Sequence, residues 1–167
     1  MLGYTEEELY HYFEEYMTEL AEELSLSEEE CKARLREWYN GYRFTSKDIA
    51  VYNPYSILSV LKKKDFKNYW FETGTPSFLV NLLEERDYSL PLMEQLEIRE
   101  NAFTKYEIED LSMEALLYQT GYNTIKKQKG ALYHLSYPNQ EVKNSFTDYL
   151  YQTYVGCGNA NLKKKFP

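Results

Sequence analysis

Two capping boxes in the first thirty residues constrain the fold more than any other feature of this sequence. In each, a hydroxyl residue is followed three positions later by glutamate, as in Thr5 with Glu8 and Ser27 with Glu30. This pairing satisfies two exposed N–H groups at once, so it marks the beginning of a helix. Residues 1–30 contain eleven glutamates and no lysine or arginine, and glutamates in a first turn are favoured by the helix dipole. The sequence therefore predicts two acidic helices at the N-terminal end.

The apolar residues that follow each cap recur at helical spacing. From Leu9 to Leu24 they make one helical face, which predicts a single unbroken first helix. The second helix is predicted to end at Asn40, before the left-handed exit that a following glycine permits. Asn53 and Pro54 begin a third helix as N-cap and first helical residue. Its apolar residues lie on most sides, which predicts that this helix is well buried.

A second unit is predicted downstream, and it starts with residues 90–110, which are interpreted as a short helix and a connector. Ser112 then begins a helix that ends at a glycine exit. Two strands, 122–127 and 131–137, are predicted next, because the second of them alternates between two faces. A last helix begins at Asn139. A helix, a two-stranded wing and a helix are the ending of a winged-helix-like module.

The fold class predicted from these elements is mainly α, with a helical bundle followed by a winged-helix-like module that contains a two-stranded β-hairpin. The predicted units are residues 1–89 and 90–155. Within the first unit, a cap followed by proline at residues 75–76 predicts a further helix to about Arg86. Residues 156–167 combine glycines, asparagines and lysines, and they are predicted to be a disordered tail.

Charge and cysteine content exclude several classes of function. The chain has 167 residues and a net charge of −8, which argues against a general binder of nucleic acids or anionic membranes. Two cysteines make neither a disulfide framework nor a zinc site. There is no signal-peptide pattern, and no run approaches the roughly 18 apolar residues of a membrane span, so we expect a soluble protein of the cytoplasm.

The sequence contains no recognisable catalytic motif. None of its seven glycines stands in the phosphate-binding Gly-x-x-x-x-Gly-Lys-Ser/Thr arrangement. Glu141 and Lys143 match the Glu-x-Lys letters of metal-dependent nucleases, but they lie where a helix begins, and Glu141 is expected to interact with the helix dipole instead. His11 and His134 have no nucleophile or metal-ligand partner at an interpretable spacing. We therefore predict no catalytic residue, no metal ligand and no cofactor.

Three lysines of the predicted wing raise the alternative of weak DNA binding. Lys126, Lys127 and Lys129 cluster at the hairpin tip, where related modules often contact phosphate. The helix that would enter the groove, 113–119, carries one glutamate and no lysine or arginine, which makes this the weaker alternative. A third reading is a free-standing interaction module, because eighteen tyrosines suit a protein-binding surface.

Several longer strings point to one family when they are taken together. The strings are Leu2-Gly3-Tyr4-Thr5, Trp38-Tyr39-Asn40-Gly41-Tyr42-Arg43-Phe44, Val51-Tyr52-Asn53-Pro54-Tyr55-Ser56-Ile57, Tyr69-Trp70-Phe71-Glu72-Thr73-Gly74-Thr75-Pro76, Leu117-Tyr118-Gln119-Thr120-Gly121-Tyr122 and Tyr137-Pro138-Asn139-Gln140-Glu141-Val142. In this order they resemble the bacterial AAA-ATPase-like family, in which a P-loop ATPase core precedes a PD-(D/E)xK nuclease-like domain. The resemblance covers residues 2–155 and corresponds to the region between those two domains, a helical lid and a winged-helix-like linker.

The resemblance implies a non-catalytic segment that couples an ATPase core to a nuclease-like domain or to another protein. The family's phosphate loop and nuclease residues lie outside the matched region, so no catalytic residue is carried over. Lids of such ATPases often present an arginine to the nucleotide, which makes Arg43 a candidate nucleotide contact. Its alternative role is hydrogen bonding or stacking on neighbouring tyrosines. Because Met1 directly precedes a family string, a truncated product or an isolated domain is expected.

Overall fold

The computed structural model of the protein describes residues 3–45, 47–70, 82, 85, 96–103, 112–149 and 151. The described helices are α1 (Glu6–Tyr12), α2 (Glu14–Glu23), α3 (Glu28–Tyr39), α4 (Pro54–Lys63), α5 (Met113–Gln119) and α6 (140–149). The described strands are β1 (Leu96–Arg99), β2 (Thr124–Lys129) and β3 (Leu132–Ser136), and a 3-10 turn, Glu100–Ala102, follows β1. None of the described helices is both long enough and apolar enough to traverse a lipid bilayer.

Both predicted capping boxes are confirmed. The Thr5 hydroxyl accepts a hydrogen bond from the Glu8 N–H at 3.2 Å, and the Glu8 carboxylate accepts one from the Thr5 N–H at 2.8 Å. Ser27 and Glu30 make the same reciprocal pair at the start of α3. The prediction of one unbroken first helix is wrong, because the backbone of Phe13 leaves the helical region, at φ −124° and ψ 19°, and separates α1 from α2.

The boundaries of the next two helices follow the prediction, but the burial of α4 does not. Helix α3 ends at Tyr39, and Asn53 caps α4 through its side-chain oxygen, which accepts a hydrogen bond from the Tyr55 N–H at 3.0 Å. Helix α4 is not buried on most sides, since Tyr55 and Leu58 are 43% and 49% exposed. The outer face of α4 therefore remains open to solvent.

The predicted fold class is wrong, because the chain is a mixed α and β structure with a three-stranded antiparallel sheet in the order β1-β3-β2. The β2–β3 hairpin was predicted, although β2 begins two residues later and its turn lies at Gly130. Strand β1 lies where a short helix and connector were expected. It pairs along β3, with Leu96 opposite Leu135 and Ile98 opposite Tyr133. These long-range contacts outweigh the weak local preference of a four-residue segment.

The buried apolar residues form two clusters. The helical cluster consists of Leu9, Met17, Leu20, Ala21, Cys31, Leu35, Tyr39, Tyr52, Ile57, Val60, Leu61 and Tyr69. The sheet cluster consists of Tyr42, Leu96, Ile98, Met113, Ala115, Leu116, Leu117, Tyr122, Ile125, Leu135, Val142 and Phe146.

Residues from the first predicted unit contribute to the sheet cluster. Tyr42 belongs to it, and Val51 and Trp70 pack against it. The division of the chain into units 1–89 and 90–155 stays a prediction. The helix predicted after residues 75–76 lies outside the described residues except at positions 82 and 85, and the tail 156–167 lies wholly outside them.

Candidate functional site

The two clusters meet where the chain leaves α3 and passes against the end of β3. Gly41 has a φ of +111°, and a Cβ atom built on it would lie 2.1 Å from the carbonyl oxygen of Pro138. Only glycine adopts this conformation at such close approach without strain. The backbone at Gly41 therefore lies directly against the segment that connects β3 to α6.

Arg43 and Thr124 join this segment to the beginning of β2. The Arg43 N–H donates to the Thr124 hydroxyl oxygen at 2.6 Å, and that hydroxyl donates to the Arg43 carbonyl at 3.1 Å. Thr124 is almost fully buried, so both hydrogen bonds are shielded from water. Residues 81 positions apart in the sequence are thus fixed to each other through the backbone of Arg43.

The guanidinium of Arg43, the candidate nucleotide contact, is engaged within the chain. It forms an ion pair with Asp48 and donates to the Lys126 carbonyl at 3.4 Å. The structure thus brings Arg43 together with one of the candidate DNA-contacting lysines. The alternative role expected for Arg43 was hydrogen bonding or stacking on neighbouring tyrosines, whereas its partners here are a carboxylate and a carbonyl.

The three lysines of the wing are not equivalent. Lys126 is exposed overall, as Lys127 and Lys129 are, but its Nζ atom is part-buried and donates to the Pro138 carbonyl at 3.0 Å. Burial of this ammonium group and the nearby positive charge of Arg43 lower its pKa. Lys127 and Lys129 are exposed on the outer part of β2. Only two of the predicted lysines are therefore positioned as a free, positively charged surface.

A second connection between the clusters is made by Glu141, in the first turn of α6. Its carboxylate is fully buried and accepts hydrogen bonds from the Ser56 hydroxyl at 2.7 Å and from the Trp70 N–H at 2.8 Å. The backbone N–H of Tyr69 also donates to it. Ser56 belongs to α4, so one carboxylate connects α6 to α4 and to the segment that follows α4.

Glu141 has an unusual acidity for a glutamate. Burial raises the pKa of its carboxyl group to about 7, although the hydrogen bonds from Ser56 and from the N–H groups of Trp70 and Tyr69 oppose this shift. The negative charge of Glu141 also contributes to raising the pKa values of Tyr39 and Tyr42. A buried carboxyl group that titrates near neutrality can change charge under mild conditions.

The nearest hydrogen-bond partners of Glu141 are a serine and two backbone N–H groups. Among the described residues, no group of three or more histidine, cysteine, aspartate or glutamate side chains could hold a metal ion. His134 pairs with Glu97, at 3.1 Å between Nδ1 and Oε1, and the free thiol of Cys31 is buried.

The role of Glu141 differs from the one predicted from the sequence. Its position at a helix beginning is confirmed, but its carboxylate was expected to interact with the helix dipole. The side chain instead turns toward Ser56, which lies 85 residues away in sequence. No local pattern could reveal this contact, because its partners come from α4 and from residues 69–70.

The comparisons with known proteins identify one relative. The chain is 46% identical over 125 residues to the "Uncharacterized protein in vnfD 5'region" of Azotobacter chroococcum mcd 1. The matched region makes up 72% of this chain but 24% of the relative, so the chain spans about a quarter of that protein's length. No family model matches the chain, and no solved structure matches it.

Proposed function

We propose that this chain is a non-catalytic connecting segment of the cytoplasm, which transmits movement between neighbouring parts of a larger protein. This is the role that the resemblance to the AAA-ATPase-like family implies, with an ATPase core or a nuclease-like domain as the neighbour. The observation that carries the proposal is the buried Glu141 carboxylate, which ties α6 to α4 and to Trp70.

A connecting segment transmits force only if its own parts do not move against each other. The Glu141 network supports such rigidity, because each hydrogen bond to a charged group contributes about 1.5–3 kcal/mol and leaving it unmade costs a similar amount. The close contact of Gly41 with Pro138 and the paired hydrogen bonds of Arg43 with Thr124 fix the segment that follows α3 to β2 and to the connection between β3 and α6. Coupling between distant sites needs a shared element of this kind.

Unfolding followed at two tryptophans tests this proposal. Trp38 packs on the helical cluster, whereas Trp70 packs on the sheet cluster and lies 5.0 Å from the Tyr122 ring. In Trp70→Phe only Trp38 reports, and in Trp38→Phe only Trp70 reports. In each variant, fluorescence and far-ultraviolet circular dichroism should give the same urea midpoint, because the clusters unfold together.

Separate midpoints in either variant would contradict the proposal, since they would show that the clusters unfold independently. The non-catalytic part has its own test by calorimetry with MgATP. We expect no binding heat, because the chain contains no phosphate-binding loop. Micromolar ATP binding with turnover would contradict this part of the proposal.

A second candidate function, a protein-interaction module, is favoured by an open apolar groove between α2 and α4. Phe13, Tyr16 and Leu58 line it, and Tyr16 and Leu58 are each about half exposed. Exposed apolar patches of this kind mark interaction sites. An interaction module should self-associate in sedimentation experiments, and Leu58→Ser should abolish the association. A wild-type chain that stays monomeric at high concentration would count against self-association through this groove.

A further inference from the structure

An aromatic cleft is formed by residues of the sheet and of the segments packed beside it. It has a volume of about 330 Å³, and its lining combines four aromatic residues, Phe44, Phe103, Tyr118 and Tyr133, with Ile125 and with the polar residues Thr45, Glu100 and Gln119. Its residues come from five elements, which are the segment after α3, the 3-10 turn with the residue that follows it, α5, β2 and β3. A volume of this size holds one side chain or a small organic group.

Three of the rings pack edge-to-face against each other, with Phe103 between Tyr118 and Tyr133. The Phe103 ring lies edge-to-face against Tyr118, with centroids 4.8 Å apart, and perpendicular to Tyr133 at 5.2 Å. Phe44 is 47% exposed and stands at the mouth of the cleft. Rings inclined to each other at 65° and 90° present both faces and edges to the space between them, and the faces carry partial negative charge.

Glu100 adds a full negative charge to this cleft. It begins the 3-10 turn, and Phe103 follows three residues later with its N–H donating to the Glu100 carbonyl at 3.2 Å. Side chains three residues apart in a 3-10 turn eclipse each other, so the carboxylate and the Phe103 ring lie on the same side. No described residue gives the Glu100 carboxylate a hydrogen bond or an ion pair.

Elsewhere in the chain, three aromatic rings make cation–π contacts with side chains of the same chain. Lys32 lies over Tyr10, Arg34 over Phe66 and Lys63 over Tyr69, at 4.5–5.2 Å from the ring centroids. Within the described ranges no cation lies over the rings of the cleft. Arg43 and Lys126 neighbour cleft residues in sequence, but they are directed to Asp48 and to the Pro138 carbonyl.

We propose that this cleft binds the guanidinium group of an arginine side chain presented by a protein partner. A guanidinium is planar and weakly hydrated, so it can stack on Tyr133 or Phe103 while its fork of N–H groups binds the Glu100 carboxylate. The ammonium of a lysine is more strongly hydrated and cannot stack as a planar group on a ring, so it gains less from this cleft. The proposal does not depend on the connecting role of the chain.

Titration of the full chain with three capped amino acids tests this assignment by NMR. The probes are the N-acetyl amides of arginine, lysine and citrulline, the last being a neutral molecule of nearly the same shape as arginine. We expect the arginine probe to shift the amide signals of Phe103 and Tyr133 with a dissociation constant on the order of millimolar. The lysine probe should bind more weakly, and the citrulline probe should not shift these signals.

Two variants and one matched control locate the binding. Glu100→Gln removes the charge and should weaken arginine binding about five-fold, and Phe44→Leu should weaken it by removing the ring at the mouth. Glu97→Gln changes a carboxylate that pairs with His134 outside the cleft, and it should leave the affinity unchanged. Equal binding of citrulline and arginine, preference for lysine, or an unchanged affinity in Glu100→Gln would each overturn the proposal.

Discussion

The hydroxyl of Ser56 donates a hydrogen bond to the carboxylate of Glu141 at 2.7 Å, inside the protein and across 85 residues of sequence. Ser56 is completely buried in α4, and Glu141 is completely buried in α6. Removing one member of a buried hydrogen-bonded pair leaves the other unsatisfied. This costs more free energy of folding than replacing both members by apolar groups. This contact therefore makes the association of the two clusters sensitive to the chemistry of a single carboxyl group.

Glu141→Gln should change how stability depends on pH. The folded-state pKa of Glu141, about 7, lies above the ordinary glutamate value of 4.5, so the folded protein binds more protons than the unfolded chain between these two pH values. Its contribution to stability is fully present below about pH 4.5 and is lost as the pH rises through 7, a change of about 3 kcal/mol. Glutamine does not titrate, so the variant should lack this loss.

Urea unfolding of both proteins at pH 5, 6, 7 and 8 measures this effect. The difference in unfolding free energy between wild type and Glu141→Gln isolates the contribution of this carboxyl group, because all other titrating groups are shared. We expect the variant to become more stable relative to wild type as the pH rises. Two curves that run parallel from pH 5 to pH 8 would show that Glu141 has an ordinary acidity.

Ser56→Ala should destabilise the protein by about 1.5–3 kcal/mol at pH 8, where Glu141 is charged and has lost its side-chain donor. Ser59→Ala provides the matched control, because Ser59 lies on the same helix and is only partly buried. That variant should change the unfolding free energy by less than about 0.5 kcal/mol. Similar effects for the two serines in chemical denaturation would mean that the Ser56 hydroxyl has no special role.

Gly41→Ala should be strongly destabilising, by roughly 3 kcal/mol or more. The new methyl group would combine an unfavourable positive φ with a clash against the backbone of Pro138. Gly130→Ala is the matched control, since Gly130 also has a positive φ, of +60°, but open space around the new atom. It should cost only about 1 kcal/mol. Thermal unfolding that ranks the two variants equally would refute the close contact at Gly41.

Local signals in the sequence predicted much of the helical part of the fold. The capping pairs of Thr5 and Ser27, and the Asn53 cap before Pro54, depend on atoms within three residues of each other, and the structure contains all of them. The break at Phe13 was missed, because the helical spacing of apolar residues continues through it. The Phe13 ring packs against Tyr4 at 5.3 Å, a contact that periodicity does not encode.

The features that were missed depend on contacts between distant segments. Strand β1 has four residues and no strong β signal, and it exists because β3 supplies its hydrogen-bond partners. The role of Glu141 depends on Ser56 and Trp70, which lie 85 and 71 residues away. The sequence predicted candidate ligand contacts at Arg43, Lys126, Lys127 and Lys129. Only the structure shows that the side chains of the first two are bonded to other residues of the chain.

The central claim, that the two clusters form one coupled block, is tested most directly by disturbing one cluster and observing the other. Leu135→Ala removes a buried side chain of the sheet cluster and should cost about 2–5 kcal/mol. In the background of Trp70→Phe, the fluorescence of Trp38 reports on the helical cluster alone. We predict that Trp38 detects the full loss of unfolding free energy, equal to the loss seen by circular dichroism. An unchanged Trp38 transition in Leu135→Ala would contradict the claim.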